Sequence, residues 1–364
     1  MPYWSPSMTK PTSMGHYLAK PIRNGASPGL IAAIVDRRGV RAIAAAGVRK
    51  AGHPQPLLTT DSIHIGSNTK AMTATLLAVL VRDGVFAGGW NTAIADVFPD
   101  VCDHIHPEYR DATLWQLVTM TSGVRCDAAD WHAHRDADLI ERRYAILRDN
   151  LADPPAATAG EYQYSNLAYV VAGAMAERIT GRTWETLMQE RLFEPLGMAS
   201  AGFGPPGTPG EVDQPWGHQR DPESGDWVPN QLDNAAAMGP AGTVHVTFED
   251  WAKFMSLWLA EGPPAILDRE GLDRLITPVS GRYAAGWSVA TRFWAQGKAT
   301  THSGSNTSWF ALLWIAPRIG HAYVVAANSA EADVSSTFRL LDGIVSKLIR
   351  SSRRARHTAR LFGP

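Results

Sequence analysis

The residues best suited to chemistry in this 364-residue chain are Ser67 and Lys70, in the stretch IGSNTKAMTATLLAVLVRD from Ile65 to Asp83. A serine hydroxyl becomes a useful nucleophile when a neighbouring base takes its proton. Two side chains three residues apart on a helix share one face. Burial and the partial positive charge of a helix N-terminus both disfavour an ammonium group, which is how a lysine so placed becomes a usable proton acceptor. Backbone N–H groups at the same helix end can stabilise a developing oxyanion. The tetrapeptide alone is weak evidence, because Ser7-Met8-Thr9-Lys10 matches it equally well. That copy lies between Pro6 and Pro11 and has no apolar helix behind it. Around Ser67 the run Ala71 to Val81 is apolar nearly all round and predicts a buried helix that ends at Asp83-Gly84. Gly66 gives that helix a tight entry and puts Ser67 in its first turn. Alone, the pair would read equally well as an N-capping serine beside a solvated lysine.

Two further segments shift the balance. Tyr164-Ser165-Asn166 sits in a loop feeding an apolar helix from about Leu167. A tyrosine beside an ammonium group can shuttle protons between nucleophile and leaving group, and Asn166 offers an amide to an acyl substrate. The plainer alternative there is a capping Ser-Asn pair with a packing tyrosine. The other segment is His302-Ser303-Gly304-Ser305-Asn306, just before an apolar run at Phe310. It predicts a strand edge for substrate pairing, with an N–H to complete an oxyanion hole.

The elements that must position these residues are partly visible. LIAAIVD and VRAIAAAGV, joined by Arg37-Arg38-Gly39, predict one hairpin; ALLWIAP and AYVVAAN predict a second. Val334, Phe338, Leu341, Val345 and Leu348 recur at helical spacing after it. From about Val85 to Ser280 the signals are mostly helical, broken by Pro and Gly loops. The expected organisation is an α/β domain from residues 12–84 and 281–350, a helical inserted domain over 85–280, and a basic C-terminal tail over 351–364. The Pro- and Gly-rich segment Gly204–Asn230 is expected to rim the substrate cleft, and Trp131, Trp216, Trp227 and Trp309 are candidates to line it.

Together and in order, Ser67-x-x-Lys70, Tyr164-x-Asn166 and His302-x-Gly304 resemble the motifs of the penicillin-recognising serine hydrolases. Within them the pattern is similar to class C β-lactamases, DD-peptidases, D-aminopeptidases and related esterases. TLWQLVTMTSGV (Thr113–Val124), RLFEPLGM (Arg191–Met198) and GPAGTVHVTFEDWAKFM (Gly239–Met255) add to the resemblance, which covers roughly Pro28 to Ala330. It implies an α+β, β-lactamase-like fold: an antiparallel sheet built from both chain ends, flanked by helices, with a large, mostly helical inserted domain. It also implies that Ser67 is acylated, Lys70 activates it and Tyr164 serves as general base and acid. Asn166, His302, Ser303, Gly304 and Ser305 would contact substrate, with the N–H groups of Ser67 and Ser305 forming the oxyanion hole. The chain departs from β-lactamases at the third motif, where Lys-Thr-Gly is replaced by His302-Ser303-Gly304. A group with an ordinary pKa near 6.5 then stands where a fixed cation would meet a β-lactam carboxylate.

The reading is a serine hydrolase acting on an ester or amide of a small molecule or short peptide, without cofactor or metal. The alternatives are a β-lactamase or DD-peptidase, an acyltransferase, a non-enzymatic penicillin-type sensor, and a metal-dependent hydrolase using His132, His134 and Asp136. Gly25-Ala26-Ser27-Pro28-Gly29 matches a nucleophile elbow, but Pro28 lacks the N–H that motif needs. A net charge of −1, from 34 Lys+Arg against 35 Asp+Glu, carries no basic footprint for nucleic acid. Two cysteines, Cys102 and Cys126, cannot form a disulfide framework. No run reaches the length of a membrane span, and the opening MPYWSPSMTKPTSMG has no signal-peptide pattern, so a cytoplasmic location is expected.

Overall fold

The structure, a computed structural model, describes residues 13–259 and 266–362. Its strands in chain order are β1 (Gly29–Asp36), β2 (Gly39–Gly47), β3 (Ser62–His64), β4 (Gly202–Phe203), β5 (Gly217–Arg220), β6 (Trp227–Asn230), β7 (Val244–Thr247), β8 (Ser288–Arg292), β9 (Gly297–Ser305), β10 (Phe310–Ala316) and β11 (His321–Ala327). Six of them form one antiparallel sheet in the order β2-β1-β11-β10-β9-β8. Both predicted hairpins are present, and they meet where β1 pairs with β11, for example at Ala33 opposite Val324. The sheet is therefore closed by strands from opposite ends of the chain and flanked by helices, as the sequence implies.

The central strands β1, β10 and β11 read as continuous apolar runs because both of their faces are covered. On one face Leu30, Ala32, Leu312 and Val325 pack with Leu18, Leu341, Ile344, Val345 and Leu348, from the helices Ser13–Arg23 and Val334–Phe362. On the other, Ile31, Ala33, Leu313 and Val324 join a larger core that includes Leu76, Leu77, Leu167, Val171 and Trp251. The helix beginning at Val334 runs on to Phe362, through the basic segment where the sequence suggested a tail. Arg, Ala and Leu are good helix formers, so the helix has no local reason to stop at 350.

Residues Thr69 to Leu80 of the helix Thr69–Arg82 are all buried, as an all-round apolar helix must be. Beside it runs Asn166–Thr180, capped by Ser165, whose Oγ accepts the Ala168 N–H at 2.8 Å, and ended by Gly181 at φ 67°. The stretch 85–280 is not helical alone. It also holds β7, which pairs with β3 and β4 in a three-stranded sheet, and the β5–β6 hairpin. Strands of two to four residues are too short to show an alternating pattern that would mark them in the sequence. Buried Arg143 holds this region together. It pairs with Glu177 and Glu185 and donates to the carbonyls of Ala236 (3.0 Å) and Ala237 (3.1 Å).

The β5–β6 hairpin docks through buried His218. Its Nδ1–H donates to Asn328 O at 2.6 Å, and its Nε2 accepts the Ala51 N–H at 2.9 Å. Burial lowers the His218 pKa to about 4, against one favourable backbone contact and with Lys50 adding repulsion. Unfolded chains take up this proton below about pH 6.5, whereas the folded protein resists it down to about pH 4. The group's contribution, on the order of 3 kcal/mol, is thus complete above pH 6.5 and is lost as pH falls toward 4. Urea midpoints measured from pH 7.5 to 4.5 should decline, and His218→Gln should flatten that decline; an unchanged slope in the variant contradicts the assignment.

Candidate active site

Ser67 lies in a single 3-10 turn, Gly66–Asn68, between β3 and the buried helix. The turn is pinned from two sides. Ile65 N–H donates to Val244 O at 2.9 Å, and Asn68 Nδ2 donates to Ile65 O (2.8 Å) and Ala311 O (3.3 Å). Lys70 is fully buried. Its Nζ donates to Ser67 Oγ at 3.0 Å, Asn166 Oδ1 at 2.7 Å and Ala241 O at 2.7 Å, one acceptor for each ammonium hydrogen. The Tyr164 hydroxyl lies 2.9 Å from Ser67 Oγ, and Lys70 Nζ is 5.1 Å from the Tyr164 ring centre. Ser67, Lys70, Tyr164 and Asn166 are therefore one contiguous cluster. Asn166 uses both ends of its amide, because its Nδ2 donates to Asp127 Oδ1 at 2.8 Å.

Strand β9 passes so close to Ser67 that two glycines are obligatory. A Cβ on Gly304 would lie 2.2 Å from Ile65 O and 2.3 Å from Ser67 N. A Cβ on Gly66, which has φ 51°, would lie 2.3 Å from Ser305 N. Contacts this short leave room only for hydrogen, and they bring the backbone of Ser305 against the turn that carries Ser67. Ser303, Gly304 and Ser305 line, with Ser67, a cavity of about 350 Å³. Ser305 Oγ donates to Trp309 O at 2.7 Å, which fixes the strand end.

His302 takes a different place. It is buried, with Nδ1–H donating to Ser303 O at 2.7 Å and Nε2 accepting from the Tyr283 hydroxyl at 3.2 Å. Burial, reinforced by the Lys70 charge, pushes its pKa down to about 3. The imidazole is thus neutral at physiological pH, and the sequence-based picture of a group titrating near pH 6.5 in the site does not hold. Burial also pushes the Tyr283 and Tyr169 hydroxyls well above the usual phenol range.

Several participants escaped sequence reasoning. Asp127 orients Asn166 and also accepts from Trp131 Nε1 at 3.2 Å, which brings Trp131 near the site as expected. Asp233 lies 2.9 Å from buried His64 Nε2 and accepts from Asn306 Nδ2 at 3.0 Å. His64 Nδ1 in turn accepts the Gly66 N–H at 3.2 Å. One carboxylate therefore bridges the segments carrying Ser67 and Ser305. Both aspartates sit in irregular loops, where no periodicity marks them. His64 carries no sequence signal beyond the His-x-Gly pattern that His64-Ile65-Gly66 shares with His302-Ser303-Gly304.

The other tryptophans lie elsewhere. Trp309 is core, packed on the His64 ring, while Trp216 sits under Lys50 and Trp227 under Arg220. The Gly204–Asn230 segment does approach the strand that carries Ser305: Gln219 Nε2 donates to Thr307 Oγ1 at 3.0 Å. His132, His134 and Asp136 form no ligand set, and no His, Cys, Asp or Glu group among the described residues is arranged to hold a metal ion. His134 instead pairs with Asp149 at 2.7 Å. Among the described residues no helix is long and apolar enough to cross a membrane.

The chain belongs to the β-lactamase family, whose model, described as "Beta-lactamase", matches residues 15–343. It is 27% identical over 310 residues to penicillin-binding protein 4 of Amycolatopsis lactamdurans, covering 77% of this chain and 75% of that one. It is 26% identical over 340 residues to an unguisins hydrolase of Aspergillus campestris, covering 86% of this chain and 62% of that longer protein. Among solved structures, the D-amino acid amidase of Ochrobactrum anthropi superposes with a TM-score of 0.75 at 20% identity, over 95% of this chain and 98% of that one. A class C β-lactamase of Rhodobacter sphaeroides gives 0.72 at 17%, over 92% and 99%.

Two glycines predict opposite outcomes. Gly304→Ala forces backbone against backbone and should cost about 2 kcal/mol or more. Gly343→Ala, on an exposed helical position with nothing within 4 Å, should stabilise by about 0.5–1 kcal/mol. Denaturant titrations of the two variants read both signs, and a neutral Gly304→Ala would contradict the close approach.

Proposed function

We propose that the chain is a serine hydrolase that cleaves an ester or amide through a Ser67 acyl-enzyme. One observation carries the reading: Ser67 Oγ is within hydrogen-bond reach of both Lys70 Nζ and Tyr164 Oη, at 3.0 and 2.9 Å. In this reaction Ser67 Oγ attacks the carbonyl carbon, and its proton passes to Tyr164 Oη, which enters the step as the phenolate beside the Lys70 ammonium and leaves it as the phenol. The carbonyl oxygen becomes an oxyanion facing the N–H groups of Ser67 and Ser305. As the C–O or C–N bond breaks, the same pair returns a proton to the leaving group. Water then repeats the sequence on the acyl-enzyme, with the pair taking its proton and Ser67 Oγ leaving.

Lys70 is too deeply buried to meet substrate except through Ser67 and Asn166, so its role is to hold charge and geometry at the nucleophile. Asn166, fixed by Lys70 and Asp127, presents its amide edge at a set angle. The names of the relatives, a hydrolase and an amidase among them, agree with acyl chemistry. A neutral His302 supplies no cation for a β-lactam carboxylate, which favours peptidase or esterase chemistry over β-lactam hydrolysis.

Ser67→Ala should lower turnover of p-nitrophenyl esters and D- or L-aminoacyl anilides by several orders of magnitude. A fluorophosphonate probe should add one adduct, located at Ser67 by mass spectrometry. Nitrocefin should be cleaved far more slowly than the best ester. Activity that survives Ser67→Ala, or a native protein that never labels, would sink this reading.

A further inference from the structure

The cavity beside Ser67 has walls that acyl transfer itself does not require. Besides Ser67, Ser303, Gly304 and Ser305, it is lined by Phe310, Val334, Ser335 and Phe338. Phe310 is a buried floor at the end of β10, whereas Val334 and Phe338 remain 47% and 37% exposed. They stand one turn apart at the start of the helix Val334–Phe362, while Leu341, Ile344 and Val345 further along are buried in the core. Large apolar side chains left open around a concavity that reaches a nucleophile are surface for a ligand to cover.

Charge on this wall is scarce. The lining contributes hydroxyls and a glycine backbone but no ionised side chain. Lys70 spends its hydrogens on three protein oxygens, and His302 is neutral. The cation on the adjoining helix turn is Arg339. Its guanidinium donates to the hydroxyls of Ser335 (3.0 Å) and Ser336 (2.8 Å) and lies 3.6 Å from Asp333. A carboxylate entering the cavity would lose water without meeting a charged residue of the lining, whereas an alkyl or aryl group would gain the apolar wall.

We propose that this cavity holds an uncharged, apolar arm of the substrate, making the preferred substrates hydrophobic esters or amides and not those with a carboxylate near the scissile bond. The inference rests on the Ser67 hydrolase reading and narrows it to a substrate class. The volume, at the low end for small-molecule sites, suits a medium alkyl chain or a single ring.

Two ester series test it on the full chain. One varies the acyl group of p-nitrophenyl esters from acetate through butyrate to hexanoate, with the glutarate monoester as the carboxylate-ended counterpart. The other varies the leaving group of acetate esters among alcohols of similar acidity, from ethyl through butyl to 3-phenylpropyl. Along at least one series kcat/KM should rise about ten-fold or more, and the carboxylate-ended ester should fall about ten-fold below its neutral match. Phe338→Ala should flatten the responding series, and Val334→Lys should narrow the gap to the carboxylate-ended ester. Flat profiles in both series overturn the proposal. So does a preference for the carboxylate-ended ester that Arg339→Ala abolishes. If Ser67 labels with fluorophosphonate while both profiles stay flat, only the apolar arm fails; if Ser67 neither labels nor turns over any ester, the hydrolase reading fails and takes this inference with it.

Discussion

A fully buried ammonium group is the constraint around which the site is organised. Removing a cation from water is tolerable only when other dipoles or charges replace the hydration shell. Lys70 finds its replacements in three oxygens from three separate segments: the Ser67 turn, the start of the helix Asn166–Thr180, and the Ala241 carbonyl. Each acceptor must be fixed for the set to work, and each has its own anchor. Asn166 is tied to Asp127, Ser67 is held in the turn pinned by Asn68, and the Ala236–Gly242 stretch is gripped from behind by Arg143. Burying one charge therefore aligns a serine hydroxyl, an amide and a carbonyl from positions far apart in the chain.

The second constraint is steric. The Ser67 turn and β9 touch through Gly66 and Gly304, and the contact leaves no space for a methyl group on either side. Asp233 ties the same two segments together from outside, through His64 and Asn306. A polar brace and a glycine contact thus act on one joint. The glycine contact sets how near the two segments can come, and Asp233 lies against both of them.

These constraints also explain what the sequence could disclose. Ser67, Lys70, Tyr164, Asn166 and Gly304 lie in or directly beside elements with a clear apolar pattern, and the structure brings all of them to one place. Both terminal hairpins are legible because apolar runs broken by turn residues mark β1, β10 and β11, which are buried on both faces, and the edge strand β2 beside them. What escaped was the supporting layer. Asp127 and Asp233 act from loops, Ala241 acts through a carbonyl that any residue would carry, and β4 spans only two residues. His302 shows the opposite failure: its identity was plain, but its protonation depends on burial and on Lys70, neither of which is written in the local sequence. The tryptophans likewise could not be sorted into site and core without knowing which surfaces remain open.

The sheet is closed by β1 lying against β11, with nearly three hundred residues between them. On a ribosome, strands β1 and β2 and the serine-bearing helix emerge long before β9, β10 and β11 exist. Until those strands arrive, the apolar helix lacks its covering sheet and Ser67 lacks the Ser305 edge. The nascent chain must hold an unshielded core through most of its synthesis, with slow, long-range pairing as the final step. The same order of assembly leaves the surroundings of Ser67 open until the end, because the last strands to be made include the one that packs against its turn.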